Sequence, residues 1–76
     1  MVKEIEIQYC TSWNYLPKAA SLADAILSTF KQRIARLILV PAAGGCFEIF
    51  FDGKLAFSKL AEHRFPDNKE IIDKIS

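Results

Sequence analysis

Apolar and polar residues alternate along the first segment of the chain, Glu4–Tyr9. Ile5 and Ile7 fall on one side of an extended backbone and the polar residues fall on the other, which is the period of two of a half-buried strand. Within the segment Asn14–Phe30 the period changes, because apolar residues recur at the three- and four-residue spacing that forms one face of a helix. The pattern predicts a strand followed by a helix.

The start of this helix is predicted from two residues. Asn14 precedes the periodic segment, and its side-chain oxygen is suited to accept a hydrogen bond from an unpaired amide of the first turn. Pro17 is tolerated there because the first turn has no internal amide hydrogen bond to lose. We therefore expect Asn14 to be the N-cap.

The middle of the chain predicts three further strands. Arg36–Val40 is an apolar run without alternation and ends at Pro41, which is typical of a strand that is covered on both faces and pairs in parallel. Cys46–Phe51 and Lys54–Phe57 flank the dipeptide Asp52-Gly53, a strong signal for a hairpin because both turn residues require a positive φ. We expect a right-handed crossover followed by a hairpin.

A short helix is predicted at the end of the chain. Pro66 suits a first helical position, and Asp67 and Glu70 follow it near the positive end of the helix dipole. The predicted order is β-α-β-β-β-α, an α/β (α+β) thioredoxin-like arrangement with a mixed four-stranded sheet and two helices. At 76 residues the chain has room for one domain, residues 1–76.

This topology predicts where distant residues meet. If the third strand pairs antiparallel with the first, its beginning lies beside the end of the first strand. The segment Gly44-Gly45-Cys46 then lies close to Cys10 and the start of the first helix. We expect any chemistry of the protein to be concentrated at this point.

Composition and charge restrict the partners. Apolar residues make up 51% of the chain, which is typical of a globular protein, and ten Lys and Arg against nine Asp and Glu give a net charge of +1. This charge argues against nucleic acid or an anionic membrane held by bulk electrostatics. No apolar stretch approaches the length of a membrane span, about 20 residues, and no signal peptide is evident, so a cytoplasmic location is expected.

The two cysteines are expected to be thiols in a reducing compartment. Cys10 follows a strand and precedes a helix, where unpaired amides and the helix dipole lower the pKa of a thiol and favour the reactive thiolate. The alternative is that Cys10 is only a small apolar side chain. Cys46 likewise has two interpretations, a resolving thiol or a buried inert one.

Other sites are less favoured by the sequence. Gly44-Gly45 is not a phosphate-binding loop, because no Gly-Lys-Ser/Thr follows, and a close backbone approach to the Cys10 loop or simple flexibility explains the pair better. His63 is expected to be solvated. Cys10, Cys46 and His63 include no close ligand pair, so we expect no metal site.

Several short motifs, taken together in order and spacing, resemble the selenoprotein W-like branch of the SelT/SelW/SelH (Rdx) family, over nearly the whole chain. They are Tyr9–Leu16, Leu39–Pro41, Gly44–Ile49, Asp52–Leu55 and Arg64–Pro66. The resemblance implies a small thioredoxin-like redox protein linked to glutathione or thioredoxin, with a Cys-x-x-Cys or Cys-x-x-selenocysteine motif after the first strand. Cys10 matches the first position of that motif.

Trp13 occupies the second position of the motif, and an indole has no sulfur that could resolve a mixed disulfide. Three outcomes remain open. Cys10 acts as a monothiol that glutathione or a protein thiol resolves; Cys46 acts as the resolving thiol; or redox activity is lost and the domain is a non-catalytic interaction module. The sequence thus leaves open whether the protein is an enzyme.

The contact residues of the predicted site are the same in each case. Thr11, Ser12, Trp13, Gly44 and Gly45 are the expected binding residues for glutathione or for another protein, which would meet the Trp13 loop. Trp13 has the alternative role of covering the edge of the core. No cofactor is expected, apart from glutathione as a co-substrate.

Overall fold

The computed structural model describes residues 2–76. Four strands and three helices follow one another, with a turn of 3-10 helix at residues 31–33. Their bounds are β1 Glu4–Cys10, α1 Leu16–Phe30, β2 Arg36–Ala42, β3 Phe47–Phe51, β4 Lys54–Ser58, α2 Lys59–Glu62 and α3 Asn68–Ile75.

The strands form one mixed sheet in the order β2-β1-β3-β4. β1 pairs in parallel with β2 and antiparallel with β3, and β3 forms a hairpin with β4. These pairings confirm the predicted crossover and hairpin. The hairpin turn also has the predicted geometry, since Asp52 and Gly53 have φ angles of 51° and 83°.

The helices α1 and α3 pack on one face of the sheet. There they bury Ile5, Ile7 and Ile49 completely against apolar residues such as Ile26 and Ile71. The prediction that β2 is covered on both faces is wrong. β2 is an edge strand whose residues alternate between exposed and half-buried, and Pro41 is tolerated in it because an edge strand leaves some amides unpaired.

The C-terminal segment differs from the prediction in two respects. The sequence did not predict α2, a single turn capped by the Ser58 hydroxyl, which accepts a hydrogen bond from the Ala61 amide at 3.2 Å. The prediction that Pro66 starts the last helix is wrong by two residues. Asp67 is the N-cap of α3, and its amide donates to Glu70 Oε1 at 3.3 Å as in a capping box.

Two further contacts tie chain segments together. Asp52 Oδ1 accepts hydrogen bonds from the amides of Lys3 and Glu4, at 3.1 and 2.9 Å, so the hairpin turn is attached to the start of β1. Arg64 makes a bidentate pair with the Glu70 carboxylate, at 2.9 and 2.7 Å. Within the described residues, no helix is long and apolar enough to cross a membrane.

Candidate thiol site

Cys10 lies where three strands end or begin. Its amide donates to the Cys46 carbonyl at 2.9 Å, one step beyond the last registered pair of β1 and β3, Tyr9 and Phe47. The next amide, of Thr11, donates to the Ala42 carbonyl of β2 at 3.1 Å. The predicted meeting of Cys10 with the Gly44–Cys46 segment is therefore confirmed.

A tight turn separates Cys10 from the first helix. The prediction of Asn14 as the N-cap is wrong, because Tyr15 occupies that position and makes no capping hydrogen bond through its side chain. Asn14 instead adopts a left-handed conformation with φ 59°, which asparagine tolerates better than most residues. This conformation ends the turn and directs the following residues into α1.

Backbone amides of the turn hold the pKa of the Cys10 thiol below its ordinary value. The Ser12 amide makes the largest contribution, while burial opposes it, and the Gly45 amide, the Ser12 hydroxyl and the Trp13 amide add to the lowering. Hydrogen bonds donated to sulfur stabilise the thiolate over the thiol. The pattern of the sequence predicted this effect at the helix N-terminus, whereas the donors belong to the loop before the helix and to Gly45.

The Cys10 side chain is nevertheless buried, with 1% of the residue surface exposed. On the loop side the Ser12 and Trp13 amides lie against the sulfur, and residues 11–14 are all exposed. Because the residue is this deeply buried, a disulfide can reach the sulfur only after part of its cover moves. Burial also allows the competing interpretation, in which Cys10 packs as a small apolar residue.

Trp13 and Gly45 are in direct contact. A Cβ atom placed on Gly45 would lie 2.9 Å from Trp13 Cζ3, so only glycine fits beneath the indole in this position. Gly45 is buried, whereas Trp13 remains 67% exposed. Gly44 also has a left-handed φ, 82°, but a Cβ placed on it would meet no atom of residues 2–76 within 4 Å, so this glycine meets only a backbone requirement.

Cys46 lies opposite Cys10 and is 8% exposed. Burial raises the pKa of the Cys46 thiol, and the negative charges of Glu48 and of the Cys10 thiolate raise it further. Both cysteines are free thiols. The thiolate form is therefore more favoured at Cys10 than at Cys46.

The remaining predicted residues have distinct positions. Thr11 and Ser12 are exposed, and the Thr11 hydroxyl donates to the Ala42 carbonyl at 3.3 Å. His63 is exposed after α2, well separated in sequence from Cys10, with φ 60°. Within residues 2–76, no group of three His, Cys, Asp or Glu side chains is placed to hold a metal ion.

Two aromatic residues near the site, Tyr15 and Phe65, were not predicted from the sequence as part of it. Tyr15 is buried behind the loop, and its ring meets the Trp13 ring edge-to-face with the centroids 6.3 Å apart. On its other side Tyr15 meets Phe65, with the centroids 4.8 Å apart. Their shared aromatic character was visible in the sequence, but their contact depends on the path of the chain after α2.

The sequence model of the Rdx family matches residues 4–76. The chain belongs to the Rdx family. The match includes the Cys10 loop and the Gly44–Cys46 segment that meets it, and the described fold is the thioredoxin-like fold expected from the sequence. Family membership supports a redox-related role for the Rdx chain.

Two solved structures are similar to this Rdx protein along almost its whole length. A protein from Bordetella parapertussis is 33% identical with a TM-score of 0.93, and the match covers 99% of this chain and 95% of the other. A selenoprotein W-related protein from Vibrio cholerae is 35% identical with a TM-score of 0.91, over 95% and 90% of the two chains. No curated protein sequence matches the chain.

Proposed function

We propose that the protein catalyses thiol-disulfide exchange, with Cys10 as a monothiol and glutathione or a protein thiol as its co-substrate. The observation that carries the proposal is the position of Cys10 at the end of β1, between the Thr11–Asn14 turn and the Gly45–Cys46 segment, where the Ser12, Gly45 and Trp13 amides hold its pKa low. A thiolate is the nucleophile in such exchange, and a lowered pKa increases its population near neutral pH. The proposal includes a cytoplasmic location, where glutathione is kept reduced.

The proposed reaction has two exchanges. The Cys10 thiolate attacks the glutathione sulfur of a mixed disulfide, the Cys10–glutathione disulfide forms, and the other sulfur leaves as a thiolate. A second glutathione thiolate then attacks the glutathionyl sulfur on Cys10. Glutathione disulfide leaves, and the Cys10 thiolate is regenerated. In the net reaction the mixed disulfide and one glutathione thiol become a free substrate thiol and glutathione disulfide. The substrate sulfur is reduced and the incoming glutathione is oxidised, so atoms and electrons balance.

An external resolving thiol fits the surroundings of Cys10 better than an internal one. Trp13 provides no sulfur at the second motif position. Cys46 lies opposite Cys10, but burial and nearby negative charge raise its pKa and leave little thiolate at neutral pH. Resolution by Cys46 would require an intramolecular disulfide, which mass spectrometry after mild peroxide would detect.

Access to Cys10 requires a movement of the Thr11–Asn14 turn. The Cys10 residue is 1% exposed, so a disulfide cannot approach the sulfur in the described conformation. All four turn residues are exposed and lie outside the sheet, where local opening needs less free energy than in the core. The proposed cycle therefore begins with opening of this turn.

Incubation with glutathione disulfide tests the proposal. The Cys46→Ser variant should gain the mass of one glutathionyl group, and reduced glutathione should remove it. The Cys10→Ser variant, which keeps Cys46, is the matched control and should gain much less. Absence of the adduct on the Cys46→Ser variant, in a folded protein, contradicts the monothiol function.

A second function is favoured by a separate observation, namely that Cys10 is buried while Trp13 is exposed. In this alternative the loop binds another protein through the indole, and Cys10 only packs beneath it. The same experiment separates the two functions. If Cys10 resists glutathionylation in the folded protein but is modified when the protein is unfolded, the interaction module is favoured.

A further inference from the structure

Four aromatic rings form a continuous row that leads away from the Cys10 loop. Trp13 meets Tyr15, Tyr15 meets Phe65, and Phe65 meets Phe47, with centroid distances of 6.3, 4.8 and 5.2 Å. Each pair has the edge-to-face geometry that aromatic rings prefer. We call these four residues the aromatic row. It begins at exposed Trp13, passes half-buried Phe65 and ends at buried Phe47.

Two lysines lie over the aromatic row. The Lys18 ammonium is 4.7 Å from the centroid of Phe65, and the Lys59 ammonium is 5.5 Å from that of Tyr15 and 5.4 Å from that of Phe65. Within residues 2–76, neither ammonium has a carboxylate within 4.0 Å. Both positive charges are therefore available to an external anion beside an apolar surface.

A pocket of about 240 Å³ opens where the row meets α1 and the start of α3. Its apolar lining includes Pro17, Leu22, Phe47, Phe65 and Pro66, and Lys18 also lines it. Small-molecule sites usually have volumes of about 300–1,000 Å³. The smaller volume suits one apolar side chain of a partner better than a cofactor.

We propose that the aromatic row, Lys18, Lys59 and this pocket form a docking surface for an acidic segment of another protein that carries one apolar anchor residue. The anchor fills the pocket, and neighbouring carboxylates pair with the two lysines. Charge complementarity favours such a segment, because the ammonium groups of Lys18 and Lys59 have no carboxylate partner among residues 2–76. An anionic membrane is less suitable, since binding there takes a larger cluster of cations.

This inference goes beyond the thiol chemistry and does not depend on it. Docking uses residues of the loop before α1, of α1, β3 and α2, and of the segment before α3, and none of them is Cys10. The surface does reach the candidate thiol site, because Trp13 forms its near end and contacts Gly45. A docked segment would therefore lie beside the loop that covers Cys10.

A fluorescence titration tests the docking surface, and Trp13, the only tryptophan, is the reporter. The probe is a short synthetic peptide with one phenylalanine flanked by aspartates. The protein is used both reduced and as Cys10→Ser, so a failure of the redox function leaves this test intact. We expect saturable binding that weakens with salt, and weaker binding when alanine replaces the phenylalanine or lysines replace the aspartates.

Matched variants locate the surface. Lys18→Glu with Lys59→Glu should raise the Kd of the peptide by about fivefold or more, whereas Lys54→Glu, an exposed lysine of the hairpin, should change it by less than about twofold. Thermal unfolding verifies that each variant is folded, and amide NMR shifts should cluster around Phe65. Absence of binding, equal binding of the acidic and basic peptides, or equal Kd values for both variants overturns the proposal.

Discussion

The indole of Trp13 lies directly against the backbone of Gly45, so that a Cβ atom placed on Gly45 would be 2.9 Å from Trp13 Cζ3. The amides of these same two residues contribute to lowering the pKa of the Cys10 thiol. This contact joins Trp13, at the second position of the motif, to Gly45 in the loop before β3. The position of the indole is therefore coupled to the pKa of the Cys10 thiol.

Substitution of the two glycines should separate packing from backbone strain. Gly45→Ala and Gly44→Ala both place a side chain at a positive φ, so each should lower the free energy of unfolding by about 1–2 kcal/mol. Only Gly45→Ala meets the indole, and it should displace the exposed Trp13 ring and change its fluorescence. Identical emission spectra for both variants would contradict the contact.

Removal of the indole should expose the thiol. In a Cys46→Ser background, Trp13→Ala keeps the Trp13 amide but removes the side chain that covers Gly45, and Cys10 alkylation by iodoacetamide should be faster by about threefold or more. Leu16→Ala, which also removes an exposed apolar side chain near the loop, is the control and should leave the rate unchanged. A rate that Trp13→Ala leaves unaltered would show that the indole does not limit access.

The Arg64–Glu70 pair predicts a pH dependence of stability. The Arg64 guanidinium, which donates two hydrogen bonds, lowers the pKa of Glu70 from 4.5 to about 2. Because the folded pKa lies below the unfolded one, the pair stabilises the fold fully above about pH 4.5 and loses this effect as the pH falls toward 2.

An NMR titration of the Glu70 carboxyl measures this shift. Arg64→Met should return the pKa toward 4.5 and flatten the acid limb of the stability curve. The control is Lys69→Met, which removes a different exposed ion pair. In that pair the Lys69 ammonium lies 2.8 Å from the Asp73 carboxylate. A Glu70 pKa that stays near 2 in Arg64→Met would contradict the assigned cause.

The sequence was sufficient to predict the sheet and the place where the site forms. The alternating residues of β1 and the Asp52-Gly53 turn are local signals, and once β3 pairs with β1, Gly45 must lie near Cys10. The sequence could not predict that β2 is exposed on one face, because the number of helices on each side of a sheet is a property of the whole fold. An apolar run such as Arg36–Val40 does not indicate whether helices cover one face of the strand or both.

Other features escaped prediction because their signals are short or depend on dihedral angles. The α2 helix is a single turn of four residues, too short for periodicity to be seen, and it ends at His63 in a left-handed conformation. Two of the residues whose amides lower the Cys10 pKa, Ser12 and Trp13, belong to a turn in which Asn14 has φ 59°. A residue type alone does not specify that conformation, so the sequence predicted the lowered pKa only from the nearest helix.

The pKa of the Cys10 thiol tests the central claim most directly. In the Cys46→Ser variant, the alkylation rate followed against pH gives this pKa, and the Cys10→Ser variant gives that of Cys46 as the internal comparison. We expect a Cys10 pKa below that of an unperturbed cysteine, about 8.5, and a Cys46 pKa above it. A Cys10 pKa at or above about 8.5 would contradict the account.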